Sequence, residues 1–150
     1  MNKRGFSAIE LLVVLVIMGI IAAFGIPRVR TAVLRSNVRS ARAALGTMLV
    51  KARAAAVARG CTATVTMDAT ASTVSISVCT VTGTGTQILG GVDSLGARFS
   101  VNVTPTTTLA FDPRGLATDY TNRTYLIASR TATAVTDSVV VNPLGQVIRQ

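Results

Sequence analysis

Hydrophobic and polar positions divide the chain into three textures. From Phe6 to Ile26 the sequence FSAIELLVVLVIMGIIAAFGI is apolar except at Ser7 and Glu10. A helix rising 1.5 Å per residue covers about 30 Å over such a run, which matches a bilayer core. Residues 28–59 then place Leu34, Val38, Ala41, Leu45, Met48, Leu49 and Ala52 on one helical face. This stretch has no Pro and only Gly46, and Gly60 follows as its stop signal. Pro27, between the two helical runs, predicts a kink because its ring removes one backbone hydrogen bond.

After Gly60 the texture changes to Thr/Val/Ser alternation, the pattern of half-buried strands. Strands are predicted near 61–67, 73–79, 97–103, 107–111, 123–128, 135–141 and 145–149. Turn signals separate them at Asp68–Ser72, Gly83-Thr-Gly85, Gly90-Gly91, Asp112-Pro-Arg-Gly115 and Asn142-Pro-Leu-Gly145. The Thr/Gly-rich stretch 80–87 reads as a loop, and it lacks the Gly-Lys-Ser/Thr ending of a phosphate-binding loop.

Composition changes the picture by exclusion. A chain of 150 residues with 49% apolar and 14% charged residues is one domain's worth of foldable sequence, not a disordered tail. Without His, and with two Cys and a single Glu, it cannot build a His-based triad, a His-ligated metal site or a four-Cys zinc cluster. The expectation is a non-enzyme without cofactor or metal. The net charge of +9 belongs to one segment, since residues 28–59 carry eight cations and no acid. From residue 60 onward five Arg balance five Asp.

Glu10 is the anomaly of the apolar run. A carboxylate placed in such a span costs roughly 2.5–3.5 kcal/mol on insertion scales, and no cation within the segment offsets it. An amine freed by cutting the chain before Phe6 would be the nearest positive group. Lys3-Arg4-Gly5 followed by Phe6-Ser-Ala-Ile-Glu10-Leu-Leu-Val-Val closely resembles the class III signal of type IV pilins and type II secretion pseudopilins. The resemblance implies cleavage between Gly5 and Phe6 by a membrane prepilin peptidase and methylation of the new terminus at Phe6. It also implies that Glu10 sets register by pairing with the terminal amine of a neighbouring subunit. Ser7 and Ala8 depart from the commoner Thr-Leu of that family. A secretory signal is the competing reading, but the apolar run exceeds the usual h-region of about 7–15 residues. It also ends in Gly25-Ile26-Pro27-Arg28 with no small-x-small cleavage site. Lys3 and Arg4 favour a cytoplasmic N-terminus whereas Arg28, Arg30 and Arg35 argue the reverse. The resemblance, which requires cytosolic processing, selects the first orientation.

On the second helical run, Arg28, Arg35, Arg39, Arg42 and Arg53 fall within an arc of roughly 60° beside the apolar face, if the helix is straight. These are candidate contacts for an anionic partner, with three readings open. They are a solvated flank drawn to anionic headgroups, a contact with acidic surfaces of neighbouring pilins, or a track for DNA phosphates. With no Trp and two Tyr, stacking on single-stranded bases is poorly supported.

Cys61 and Cys79 flank the first predicted hairpin. Outside the cytoplasm an even Cys count favours a disulfide worth about 3 kcal/mol for a loop of this size. Aligning the apolar faces, however, pairs Val65 with Val74 and Ala63 with Ile76, and sets Cys61 opposite Val78. Opposing Cys61 to Cys79 shifts the register by one and turns the faces against each other unless a bulge intervenes. Two buried thiols are the alternative.

Three further patches resemble the GspH/FimT class of minor pilins and pseudopilins. They are Ala52-Arg53-Ala-Ala-Ala-Val-Ala-Arg59-Gly60, Phe111-Asp-Pro-Arg-Gly115 and Val141-Asn-Pro-Leu-Gly145-Gln-Val. The implied fold is α+β and type IV pilin-like, a long N-terminal helix packed on an antiparallel β-sheet or sandwich. The implied organisation is a cleaved leader at 1–5, a transmembrane and filament-core helix at 6–27, a basic amphipathic helix at 28–60 and a β-rich domain at 61–150. Such a protein would sit in the inner membrane as a single-pass subunit with a periplasmic C-terminal domain. From there it would join other pilins in a type IV pilus or type II secretion pseudopilus. Two alternatives remain: a FimT-like pilin that binds DNA during uptake, and an anchored β-domain that never polymerises. FimT-like members that act in DNA uptake use basic residues near the C-terminus; here that region offers Arg149, with Gln146 where a basic residue is expected.

Overall fold

The computed structural model describes residues 7–80 and 85–149. The described chain divides between Val33 and Leu34 into two units. Helix α1 (Ala8–Arg59) contributes to both and runs through Pro27, whose carbonyl accepts a hydrogen bond from the Thr31 hydroxyl at 3.1 Å.

In the second unit the predicted apolar face of α1 is the buried one: Val38, Ala41, Leu45, Leu49, Ala52 and Ala56 are at most 2% exposed. The helix ends at Gly60, as its composition predicts. The Cys61 N–H reaches the Ala56 carbonyl at 3.2 Å and the Gly60 N–H the Val57 carbonyl at 3.4 Å, which satisfies two of the last turn's acceptors. Among the described residues eight strands follow: β1 (Ala63–Asp68), β2 (Thr73–Cys79), β3 (Thr86–Ser94), β4 (Val101–Thr104), β5 (Thr107–Phe111), β6 (Arg123–Ser129), β7 (Thr136–Val141) and β8 (Val147–Arg149). They make two antiparallel four-stranded sheets, ordered β3-β2-β1-β5 and β4-β6-β7-β8. Alternating residues of both sheets join the helix face in one core, among them Val65, Leu109, Phe111, Tyr125, Ile127 and Val139.

Two elements differ from expectation. The strand predicted over 97–103 begins only at Val101, because a short helix α2 (Leu95–Phe99) occupies its first half. Ser94 caps that helix by accepting from the Ala97 N–H at 3.4 Å, Leu95 is fully buried, and Ser100 leaves it at φ +53°. The alternation of Ala97, Phe99, Val101 and Val103 is therefore a strand pattern for its second half alone. The second difference is β3, whose span covers the end of the predicted 80–87 loop and the predicted Gly90-Gly91 turn. Both glycines have positive φ (+79° and +81°) but sit in a bulge inside the strand, where the β2–β3 register shifts between Ser75 and Ser77. The predicted turn at Gly83 falls outside the described residues; Gly85, at φ +95°, lies just before β3.

The register conflict of the first hairpin resolves in a third way. Ala63 opposes Val78, Val65 opposes Ile76 and Met67 opposes Val74, two residues from the first expected alignment, so the apolar faces stay together. Asp68 takes the Thr70 and Ala71 N–H groups at 2.8 and 3.4 Å, and Ser72 is buried at φ +52°. That loop fixes the alignment by keeping Ser72 out of the strand. Cys61 lies before β1, and a disulfide joins it to Cys79 across a Cα–Cα distance of 6.3 Å with no bulge in the β1–β2 pair. Arg59 donates to the Cys79 carbonyl at 2.7 Å beside it.

The Asp112 and Asn142 turns are structural twins. In each, the Asx N–H donates to the carbonyl four residues on (2.9 and 3.1 Å), and the Gly N–H returns to the Asx carbonyl (2.8 and 2.9 Å). The Asx side-chain oxygen takes the fifth residue's N–H, from Leu116 and Gln146, at 2.8 Å in both. That N–H bond, followed by the Arg114 guanidinium at 2.9 Å, holds the Asp112 carboxyl below the usual carboxylate range. The turns meet glycine to glycine: a Cβ on Gly145 (φ +71°) would collide with the Gly115 carbonyl oxygen. Ala117 N–H further ties them by donating to the Pro143 carbonyl at 3.1 Å.

Two expectations follow. Gly145→Ala combines left-handed strain of about 1–2 kcal/mol with overpacking of about 1–3 kcal/mol. Gly91→Ala carries the strain alone, since nothing stands within 4 Å of its added carbon. Chemical denaturation of the disulfide-intact chain in detergent should therefore rank Gly145→Ala well below Gly91→Ala, and equal losses would contradict the contact. Tyr125 is 1% exposed, its hydroxyl has no hydrogen-bond partner among the described residues, and burial pushes its pKa up to about 12. The unfolded chain ionises this group near pH 10 while the fold keeps it protonated, so it drains stability as pH rises from about 10 to 12. Tyr125→Phe should be neutral or stabilising by up to about 1 kcal/mol at pH 7 and should lose less than the parent above pH 10. Denaturation midpoints at both pH values check this.

Candidate functional site: an uncovered apolar helix and an arginine cleft

From Ala8 onward the first unit is helical, and its large apolar side chains are exposed. Its most apolar 18-residue window has a mean hydropathy of 2.8, and none of that window is buried within the chain. Residues such as Ile9, Ile21 and Phe24 are 66–70% exposed. Apolar surface on this scale is stable only where lipid or other apolar helices cover it. Glu10 stands in the first turn, exposed among these residues, where the unpaired N–H groups of the helix start favour a negative charge. The Ser7 carbonyl accepts from the Glu10 and Leu11 N–H groups at 3.1 and 3.2 Å. Among the described residues Glu10 enters no ion pair. Gly5 and Phe6 lie outside the described residues.

The arginines predicted to form one stripe serve different environments. Arg28 belongs to the first unit and the other four to the second. Arg35, Arg39 and Arg42 line a cleft of about 640 Å³ whose other walls are Val38 and the residues 134–137 that lead into β7. Arg42 donates to the Asp137 carboxylate at 3.0 Å, with the two side chains 27% and 16% exposed. Arg35 and Arg39 are exposed and make no hydrogen bond or ion pair with the described residues. Arg53 sits apart. Its Nε lies 3.0 Å from where a Gly115 Cβ would stand and 3.4 Å from the corresponding point on Gly145, so it packs over the twin turns. Its aliphatic stem and Val57 cover the place where two of the family-like sequence patches meet.

Asp137 is the residue of the cleft that the sequence reading did not single out, and it left a signal. In β7 it shares the core-facing row with Val139 and Val141, opposite the buried Ile127. A carboxylate on a strand's inner row needs a cation from the element packed on that row, and α1 supplies Arg42. Among the described residues no group of three or more His, Cys, Asp or Glu comes together as a metal site.

Comparison with known proteins agrees with this geometry. Residues 1–26 match the family model of the prokaryotic N-terminal methylation motif, and residues 41–145 match that of the Type II transport protein GspH. No curated protein sequence matches the chain. Among solved structures, the type IV minor pilin FimU of Pseudomonas aeruginosa superposes with a TM-score of 0.64 at 20% identity, covering 77% of this chain and 90% of that one. A second crystal form of FimU gives 0.60 at 20% identity over 75% and 91%. The minor pseudopilin EpsH from the Type 2 Secretion System of Vibrio cholerae gives 0.60 at 14% identity over 76% and 96%. These structures share the type IV pilin-like fold, and the methylation motif with its apolar helix fits an anchored pilin. The match over residues 41–145 covers most of the chain, which therefore belongs to the GspH family of pilin-like proteins.

Proposed function

We propose that this chain is a minor pilin or pseudopilin. A prepilin peptidase cuts it between Gly5 and Phe6 on the cytoplasmic side and its new terminus is methylated. Residues 6–27 then hold it in the inner membrane with residues 28–60 and 61–150 in the periplasm. It passes from the membrane into a type IV pilus or a type II secretion pseudopilus, where the apolar helix joins the filament core and the β-domain faces outward. The role is filament assembly, and in a secretion system it supports protein export.

One observation carries this reading: a long, uncovered apolar helix with a single carboxylate near its start. Lipid covers such a helix but leaves Glu10 without compensation. A neighbouring subunit whose chain starts at Phe6 supplies both apolar cover and an amine, and the two charges cancel only in the correct axial register. We prefer this role to DNA capture. The arginine cleft contains a carboxylate, Asp137, and no aromatic side chain on which a base could stack.

Glu10→Ala separates processing from assembly. The variant should be cleaved as efficiently as the parent, read by the mass of its N-terminal peptide, while its share of sheared filaments falls at least about tenfold. Incorporation at the parental level would remove the register role.

A further inference from the structure

The acids of the second unit are Asp68, Asp93, Asp112, Asp119 and Asp137. Four are matched internally, to Arg98, Arg114, Arg123 and Arg42, at 2.7–3.0 Å. Asp68 is turned to its own loop, where it takes two backbone N–H groups. The described surface of this unit therefore offers no carboxylate without a partner. Its cations are in surplus, and Arg35 and Arg39 stand side by side at the mouth of the cleft, one helical turn apart. The second unit of another copy would bring the same cationic face, with four of its five acids already paired to its own arginines.

The cleft has a definite chemistry. Val38 and Val135 supply an apolar lining, Arg42 is engaged by Asp137 in the wall, and Arg35 and Arg39 are left to receive a negative group. A continuous phosphate track needs a run of open cations, whereas this cleft offers two, Arg35 and Arg39, beside an Arg42–Asp137 pair. A short side chain ending in a carboxylate fits beside apolar contacts and meets guanidinium forks suited to it. We propose that the Arg35–Arg39 cleft docks an acidic segment of a different protein, presenting Asp or Glu beside apolar residues. This rests on the filament reading above, and it names the partner as an unlike subunit with a carboxylate at this level of the helix. The chain then enters filaments beside another kind of subunit in preference to its own.

The test uses the full chain in a neutral detergent, with a labelled short poly-L-glutamate peptide as probe. Duplex DNA and anionic phosphatidylglycerol vesicles are the comparison arms. Arg35→Gln/Arg39→Gln should weaken peptide binding at least about tenfold. The charge-matched pair Arg114→Gln/Arg123→Gln, neither of which lines the cleft, should change it less than about twofold. Absence of peptide binding, or equal losses in the two pairs, overturns the proposal. So does tighter, Arg35/Arg39-dependent binding of DNA or vesicles, which would give the cleft to that partner instead. In cells, the Arg35→Gln/Arg39→Gln chain should keep parental N-terminal processing and lose incorporation into filaments; unchanged incorporation also overturns the inference. A parental chain that is never processed would instead sink the filament function, so the two failures are distinguishable.

Discussion

A helix that buries one end of its apolar surface in its own domain and leaves the other end bare sets the terms for this molecule. The β-sheets cover α1 from Val38 to Ala56, while residues 8–33 present Leu, Ile, Val and Phe side chains outward. Hydrophobic surface is worth about 25 cal/mol per Å² when removed from water, so the bare portion must find lipid or other helices. Within it Glu10 forbids a purely hydrophobic solution. An ionised carboxylate there carries a free-energy cost that a cation arriving with the covering surface would offset, which is the physical basis of the register role proposed above.

The second unit is organised to hold the other end of that helix still. The last-turn hydrogen bonds at Gly60, the Cys61–Cys79 disulfide and the Arg59 bond to the Cys79 carbonyl fix the exit of α1 to the edge of β2. Further up, Arg53 and Val57 close over the paired Gly115 and Gly145 turns. The Arg42–Asp137 pair ties α1 to β7. Within the second unit these three attachments join one helix to the end of β2, to the twin turns and to β7. The cationic surplus that remains after these attachments lies on the helix, where partners would be read.

Much of this was legible in the sequence. The helix end at Gly60 and the buried face were readable because an α-helix repeats apolar positions over many turns and the signal accumulates. The short strands β1, β2, β5, β6 and β7 were readable from period-two alternation. Strand β3 was hidden because it is an edge strand, mostly exposed, with two glycines in a bulge that imitate a turn. Helix α2 was hidden because five residues are too few for a helical period to appear. The hairpin register depended on Ser72 taking a left-handed conformation, which no alternation pattern encodes. At the site, the arginines were visible but their division was not. Arg53 and Arg42 have internal duties set by residues about 60 and 95 positions away (Gly115 and Asp137), and only folding brings those together. The Asp on the inner row of β7 was the available clue.

The most direct measurement is the mass of the N-terminal peptide of the chain purified from its own membranes. The account predicts a peptide that starts at Phe6 and carries one methyl group, with residues 1–5 gone. A peptide that still begins at Met1 would contradict it, because no amine would then stand at Phe6 for Glu10 to meet, and one cut downstream of the apolar run would contradict it because Glu10 would be gone.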